Sequence, residues 1–334
     1  NYSNIVFTSN NLEMAIEHIV VDNVKIITEG AFCVPSKIFS NYVNLIEDDE
    51  INIELLNDNS IEIKTSSSDI KIKGNPASDF PLIPIVKENL SFNLKSEILK
   101  KSIEKTLFSS ANGSIRPTLA GIYVHISTNL AKFATTDSFR LSEFKVDLDE
   151  NIKEDFSAII PNKTAFELKS ILQDKILVKV IPADNQIVFS FGNTKFYSRL
   201  MNGKFPEYEG FFPSSYNTKA IINKFDLIGA LRKINLLSKE ANYSVKMSIS
   251  NETGILIETS QTQSGEARIN LVGSVEGEDA IVGLNSEFLL EALGVIDSTH
   301  ISISFESPLS PILIIGISED KKDGFKHIIM PLKI

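Results

Sequence analysis

The stretch Phe133-Ala134-Thr135-Thr136-Asp137-Ser138-Phe139-Arg140-Leu141 reads as a strand, a tight Thr-Asp-Ser turn and a second strand leading away. Asp and Ser favour such turns because their side chains hydrogen-bond the nearby backbone. No nucleophile stands beside a base within it. Its weight comes from its surroundings, which the chain repeats three times, with this stretch in the middle copy.

The first copy holds Phe32-Cys33-Val34-Pro35-Ser36-Lys37, followed by an amphipathic run through Ile38, Phe39, Tyr42 and Ile46. The second holds Ala158-Ile159-Ile160-Pro161-Asn162-Lys163, followed by Phe166, Leu168, Ile171 and Leu172. The third holds Ala280-Ile281-Val282-Gly283-Leu284-Asn285, followed by Phe288, Leu289, Leu293 and Ile296. Each predicts a short strand and then a helix opened by Pro or Gly. Alternating residues follow every helix: Ile51, Ile53, Leu55, Ile61, Ile63, Ile70 and Ile72; then Ile176, Val178, Val180, Phe189 and Phe191; then Ile301, Ile303, Phe305, Ile312 and Ile314. Period-two patterning between polar turns predicts antiparallel hairpins with one buried face. The expected fold class is α+β, built from three tandem copies of one unit.

Each copy closes on a large apolar residue and a proline, Phe80-Pro81, Phe205-Pro206 and Met330-Pro331, and the three prolines are equally spaced. A unit of this length far exceeds a solenoid repeat, so each copy is expected to be a domain with its own core. The second and third copies open with amphipathic helices over 94–108 and 222–237, with Ile98, Leu99, Ile103 and Leu107 on one apolar side and Leu227, Ile228, Leu231 and Ile234 on the other. Hairpins follow, Ile122-Val124-Ile126 turning at Thr128-Asn129 and Val245-Met247-Ile249 turning at 251–254. The first copy has no such opening helix. By the chain's own symmetry it is expected to be N-terminally truncated, and less stable than the other two. Short turn-rich stretches at 84–90 and 212–218 set the expected domains at 1–86, 87–213 and 214–334, closely abutted.

A chain of 334 residues, 43% hydrophobic and 23% charged, has material for several real cores. Its net charge of −10 repels nucleic acid as a whole, but a local basic face is still open to it. Cys33, the lone cysteine, lies in an apolar run and reads as a buried inert thiol. With no membrane-length apolar run and no signal peptide, a cytoplasmic protein is expected. His18, His125, His300 and His327 are scattered without ligand spacing, so no metal is expected. There is no Gly-rich phosphate loop and no Ser/His/Asp motif, so neither a cofactor nor a catalytic residue is expected. Asp48-Asp49-Glu50 before a strand reads as an acidic turn.

The lysines carry more. Lys95, Lys100, Lys101 and Lys105 cluster in the first full helix, and Lys224, Arg232, Lys233 and Lys239 in its equivalent. A solvated helix face is the plain reading. An acidic protein that keeps cations on repeated helices also suits a passage for a polyanion, with contacts to phosphate and none to sequence.

Arg116-Pro117-Thr118-Leu119-Ala120-Gly121, Ala134-Thr135-Thr136-Asp137-Ser138-Phe139-Arg140-Leu141, Asn202-Gly203-Lys204-Phe205-Pro206-Glu207-Tyr208 and the terminal Met330-Pro331-Leu332-Lys333-Ile334 follow in order. With them the whole chain resembles the bacterial sliding clamp, the beta subunit of DNA polymerase III. The resemblance implies three clamp-fold domains and a head-to-tail homodimeric ring around double-stranded DNA, sheets outside and helices lining the hole. It implies a processivity factor with no catalytic residues. The implied partners are the polymerase III alpha subunit, the clamp loader subunits and other proteins with a clamp-binding motif. The partner cleft then comprises Leu119, Thr136, Ser138, Phe139, Arg140, Leu141, Pro206, Phe211, Asn285, Phe288, Ser310, Ile328, Ile329, Met330, Pro331 and Leu332. DNA would face Lys95, Lys100, Lys101, Lys105, Lys224, Arg232 and Lys233, and the ring interface would use Ile70, Ile72, Leu236 and Leu237. Two departures stand out. Ser138 fills a position where the family usually has Gly, at a cost if the turn needs positive φ. Gly210 stands where the family often has Arg, removing a polar rim contact.

Two rival classes remain. One is an enzyme with a polar site between β-rich domains, using Asp137 or Arg140; the other is a β-rich adhesion module. The enzyme predicts a perturbed carboxylate in a polar cleft, and the clamp predicts an apolar cleft.

Overall fold

The computed structural model describes residues 4–113, 116–149, 151–152, 154–259, 262–318 and 323–333, so Ile334 of the terminal string lies outside the described residues. The chain divides into two compact units, Asn1–Asn89 with Val180–Ser198, and Leu90–Lys179 with Arg199–Ile334.

In the first unit Ile5–Asn10 and Met14–Val20 form a hairpin, and Met14–Val20 pairs antiparallel with Thr194–Arg199. A three-stranded sheet, Asn52–Leu56, Ser60–Lys64 and Asp69–Lys73, packs Ile61, Ile63 and Ile72 against Phe39, Tyr42 and Ile46 of helix α1 (Ser36–Val43) and the turn after it. The alternation over 51–55 does not give a buried face. Ile51, Ile53 and Leu55 are exposed, as are Phe7, Ile38 and Leu45, and no residue of α1 is fully buried. The second and third copies each carry an opening helix, whereas among the described residues the first carries α1 alone.

The second unit holds α2 (Ser96–Thr106), α3 (Asn162–Ile171), α4 (Lys224–Ser238) and α5 (Ser286–Val295). Of the two opening helices, α2 falls within its predicted span and α4 runs one residue beyond its own, to Ser238. Leu99, Ile103 and Thr106 of α2 and Leu227, Leu231 and Ile234 of α4 are buried, the helical spacing that made them legible. Nine described strands form one sheet in the order Phe156–Pro161, Gly121–Ser127, Leu130–Thr136, Arg140–Asp147, Phe325–Ile329, Ile312–Ile317, His300–Phe305, Thr218–Asn223 and Gly273–Gly277. Its seam is the antiparallel pairing of Arg140–Asp147 with Phe325–Ile329, where the second and third copies join. A four-stranded sheet, Arg268–Leu271, Gly254–Thr259, Ser244–Ser250 and Ala280–Asn285, packs beneath α4.

Two repeat alignments need correction. Pro35 and Pro161 are the N-caps of α1 and α3, but Gly283 lies inside a strand and Asn285 caps α5, accepting from the Glu287 and Phe288 amides. Cap for cap, Asn285 answers to Pro35 and Pro161, two residues after the Gly283 that the sequence suggested, and its side chain makes the cap that proline cannot. The equal proline spacing is also partly fortuitous. Pro81 and Pro206 lie several residues beyond the strands that precede them, Asn75–Pro76 and Thr194–Arg199, whereas Pro331 follows almost directly on Phe325–Ile329.

Candidate functional site

The Thr136–Leu141 turn sits at the seam. Asp137 Oδ1 accepts from the Phe139 amide at 2.9 Å and the Arg140 amide at 3.0 Å, while Thr136 Oγ1 donates to the Arg140 carbonyl and accepts from the Ser138 amide. Asp137 is thereby a turn-former whose backbone bonds are both used. Ser138 adopts φ +82°, so the turn does need the left-handed region and a non-Gly residue is strained there. Its hydroxyl accepts from Arg116 Nη1 at 2.9 Å.

Arg140 is only 8% exposed. Its Nε donates to Asp137 Oδ2 at 3.0 Å, Nη2 to the Phe108 carbonyl at 2.8 Å, and Nη1 to Glu291 of α5. The guanidinium lies over Phe288, 4.2 Å from the ring centroid. This planar fork ties the second copy to the third, a use that lysine could not reproduce. A peptide would meet it as a fixed wall.

Below the turn, Leu119, Leu141 and Ile328 share one apolar cluster with Ala134, Ile159, Phe205 and Tyr208, and Leu313 and Phe212 pack at its margin. Phe139 and Met330, joined through their backbones at the turn, expose large apolar surface, as do Phe211 and Leu309. The terminal residues cross both copies: the Met330 amide donates to the Phe139 carbonyl and the Leu332 amide to the Gly283 carbonyl, each at 2.8 Å. An apolar floor with exposed apolar flanks and few polar groups is what a peptide anchor requires.

The other expected cleft residues have their own bonds. Asn285 caps α5, and the Ser310 amide and hydroxyl meet Ser307. Ile329 is buried opposite Arg140, Pro206 is exposed beside buried Phe205, and Pro331 and Leu332 are half-buried.

Several supports had no signature in the sequence. Tyr208 donates from its hydroxyl to Oε2 of the fully buried Glu143 at 2.9 Å, and Lys145 lies 3.0 Å from the other carboxylate oxygen. Burial first, and then the Glu143 charge, push the Tyr208 phenol far above its usual range. His327, paired with Ser142 across the seam at 2.8 Å, is fully buried, and burial together with the nearby Arg140 charge lowers its pKa to about 3. It is therefore neutral at physiological pH.

The expected DNA-facing cations divide. Lys105 is 2% exposed, so it cannot meet a phosphate in this conformation. It is held by Asp323 at 2.9 Å and Asp297 at 3.1 Å. Lys224 is buried too, donating to the Ile296 carbonyl at 2.6 Å. Lys95, Lys100 and Lys101 reach solvent but pair with Asp149, Asp174 and Asp297, whereas Arg232 and Lys233 are exposed. Of the expected ring-interface residues, Leu236 is 80% exposed, Leu237 and Ile70 are half-buried, and Ile72 lies in the first unit's core. Among the described residues no group of acidic, His or Cys side chains is arranged to hold a metal, and no helix is long and apolar enough to cross a membrane.

Residues 1–84, 93–207 and 210–333 match, in turn, the N-terminal, central and C-terminal domains of the DNA polymerase III beta subunit. The chain belongs to that family. It is 28% identical over 308 residues to a beta sliding clamp of Streptococcus pneumoniae, covering 91% of this chain and 80% of that protein. A Rickettsia felis beta sliding clamp is 29% identical, with 99% of this chain and 89% of that protein covered. The crystal structure of the S. pneumoniae DNA polymerase III beta chain matches with a TM-score of 0.95 at 26% identity, over 100% of this chain and 90% of that one. The Bacillus subtilis DNA polymerase sliding clamp matches with 0.94 at 25%, with the same coverage. Membership carries the function: this is a sliding clamp for DNA replication, a protein that holds rather than one that catalyses.

Proposed function

We propose that the chain folds as three clamp domains, 1–86, 87–213 and 214–334, and pairs head to tail with a second copy around duplex DNA. The pairing rule at both intrachain joints supports this: the Met14–Val20 strand pairs with Thr194–Arg199, and Arg140–Asp147 with Phe325–Ile329. Continued once more, the rule brings Arg268–Leu271 of the third copy against Asp69–Lys73 of a second subunit, and both are unpaired sheet edges. Such a heterologous contact closes a ring when its rotation does. Lys95, Lys101, Arg232 and Lys233 are the exposed cations of the DNA-facing set, Lys100 being half-buried, and their contacts are phosphate-directed. The cleft takes short peptides from the polymerase alpha subunit, the clamp loader and other clamp-binding partners in the cytoplasm.

The observation that carries the peptide reading is the exposed Phe139–Met330 pair above the Leu119–Leu141–Ile328 floor. Fluorescence anisotropy with a labelled clamp-binding peptide tests it. Met330→Ala should weaken binding about tenfold, as for loss of an apolar anchor worth about 1.4 kcal/mol. An intact chain that does not bind the peptide overturns the reading.

A further inference from the structure

The joint between the second and third copies has an ionic lock. Lys105 enters from α2 and is met by two turns of the third copy, one just after α5 (Asp297) and one just before the Phe325–Ile329 strand (Asp323). Lys101 reinforces it at 2.9 Å from Asp297. Burial alone would raise the Asp297 pKa, but the two ammonium groups more than offset it and hold the carboxyl below its usual range. One helical turn on, Phe108 packs against the third-copy ring of His327, centroids 5.4 Å apart.

α4 repeats α2 residue for residue at its buried positions: Leu99 answers to Leu227, Ser102 to Ala230, Ile103 to Leu231 and Thr106 to Ile234. That register sets Lys233 in the place of Lys105 and Leu236 in the place of Phe108. Both are exposed, although their equivalents are covered by the next copy. The first copy carries the matching acceptor. Its turn after α1 is Glu47-Asp48-Asp49-Glu50, and its turn before the Asp69–Lys73 strand is Thr65–Ser68. The two turns are already drawn together, since Ser66 and Ser67 both donate to Asp48. Those hydroxyls hold the Asp48 pKa down to about 2, so the carboxylate stays charged. Among the described residues no lysine or arginine forms an ion pair with this acidic turn.

We infer that Lys233 of one subunit docks on the Glu47–Glu50 turn of a second copy of this chain, repeating at the ring interface the Lys105–Asp297 lock seen within the chain. The partner is a second copy because the same two turns, in the same order along the chain, receive the same helix position where the joint is visible. Leu236 then meets that subunit as Phe108 meets His327. This assignment rests on the head-to-tail reading, and it moves Lys233 from the DNA-facing set to the interface.

Sedimentation of the full chain over a concentration series tests it. Lys233→Glu should raise the dimer dissociation constant roughly 10- to 100-fold, the range of a lost and reversed interfacial ion pair. Adding Asp48→Lys and Asp49→Lys to Lys233→Glu should recover most of that loss, while Lys87→Glu, an equal change in net charge on the 84–90 linker, should change nothing. Unchanged binding of the labelled peptide shows that the second and third copies are folded in each variant, and an unchanged circular dichroism spectrum and thermal transition show that the first unit is. A dimer indifferent to Lys233→Glu, or not rescued by the reversed pair, overturns the lock and leaves the ring standing. A parent chain monomeric at every concentration overturns both.

Discussion

Replacing Lys105 by Met isolates what the intrachain lock contributes. The side chain is 2% exposed, and Met retains most of its volume, so packing changes little. What is lost is the cation between two carboxylates. Removing one partner of a buried pair costs about 3–5 kcal/mol, because the other charge stays desolvated. Lys101 stays 2.9 Å from the largely exposed Asp297 but only 4.0 Å from Asp323, whose side chain is 10% exposed, so the burden falls on Asp323 and the lower end, about 3 kcal/mol, applies. In a unit of this size 1 kcal/mol shifts Tm by about 2–4 °C, giving a fall of about 6–12 °C. Lys101→Met removes a half-exposed pair and should cost at most about 1 kcal/mol. Calorimetry of the full chain compares these two with Lys105→Met/Asp323→Asn, in which the stranded charge is gone and most of the loss should return. Equal losses from the two Met variants, or no recovery with Asp323→Asn, would refute the reasoning.

Tyr208→Phe strands one oxygen of the buried Glu143, so it should cost about 1–3 kcal/mol in urea unfolding and weaken peptide binding by loosening the turn that carries Phe211; a variant as stable as the parent would show that Lys145 alone satisfies the carboxylate. His327 is neutral when folded and takes a proton when unfolded below about pH 6.5. Stability should therefore fall as pH drops through that value toward about 3, by about 1.4 kcal/mol per pH unit from this residue. Urea titrations of the parent and His327→Gln at pH 7 and pH 5 check it, and parallel pH dependences would count against a neutral buried ring.

The sequence alone determined the repeat, the helices and the hairpins. These follow from local rules: apolar spacing of 3.6 or 2, caps, and turn residues, all carried within a few positions. It also supplied the family strings, and with them Leu119, Leu141, Ile328 and Met330 as cleft residues, which the fold brings to one seam. It misplaced Gly283 because an apolar run with a Gly imitates the strand-to-cap pattern without marking the cap, and Pro331 because equal spacing counts residues and is blind to strand ends. Tertiary structure alone decided what the charges do. Lys105 and Lys101 share one helix and one composition, yet one is sealed between two aspartates and the other reaches solvent. The acidic partners of Lys105 lie 192 and 218 residues downstream in sequence, and nothing in a residue's immediate neighbours records a partner that distant. Arg140 follows the same logic. The sequence marked it as a residue of the cleft, while only the packing of α5 showed that Glu291 and Phe288 hold it as the bolt between two copies.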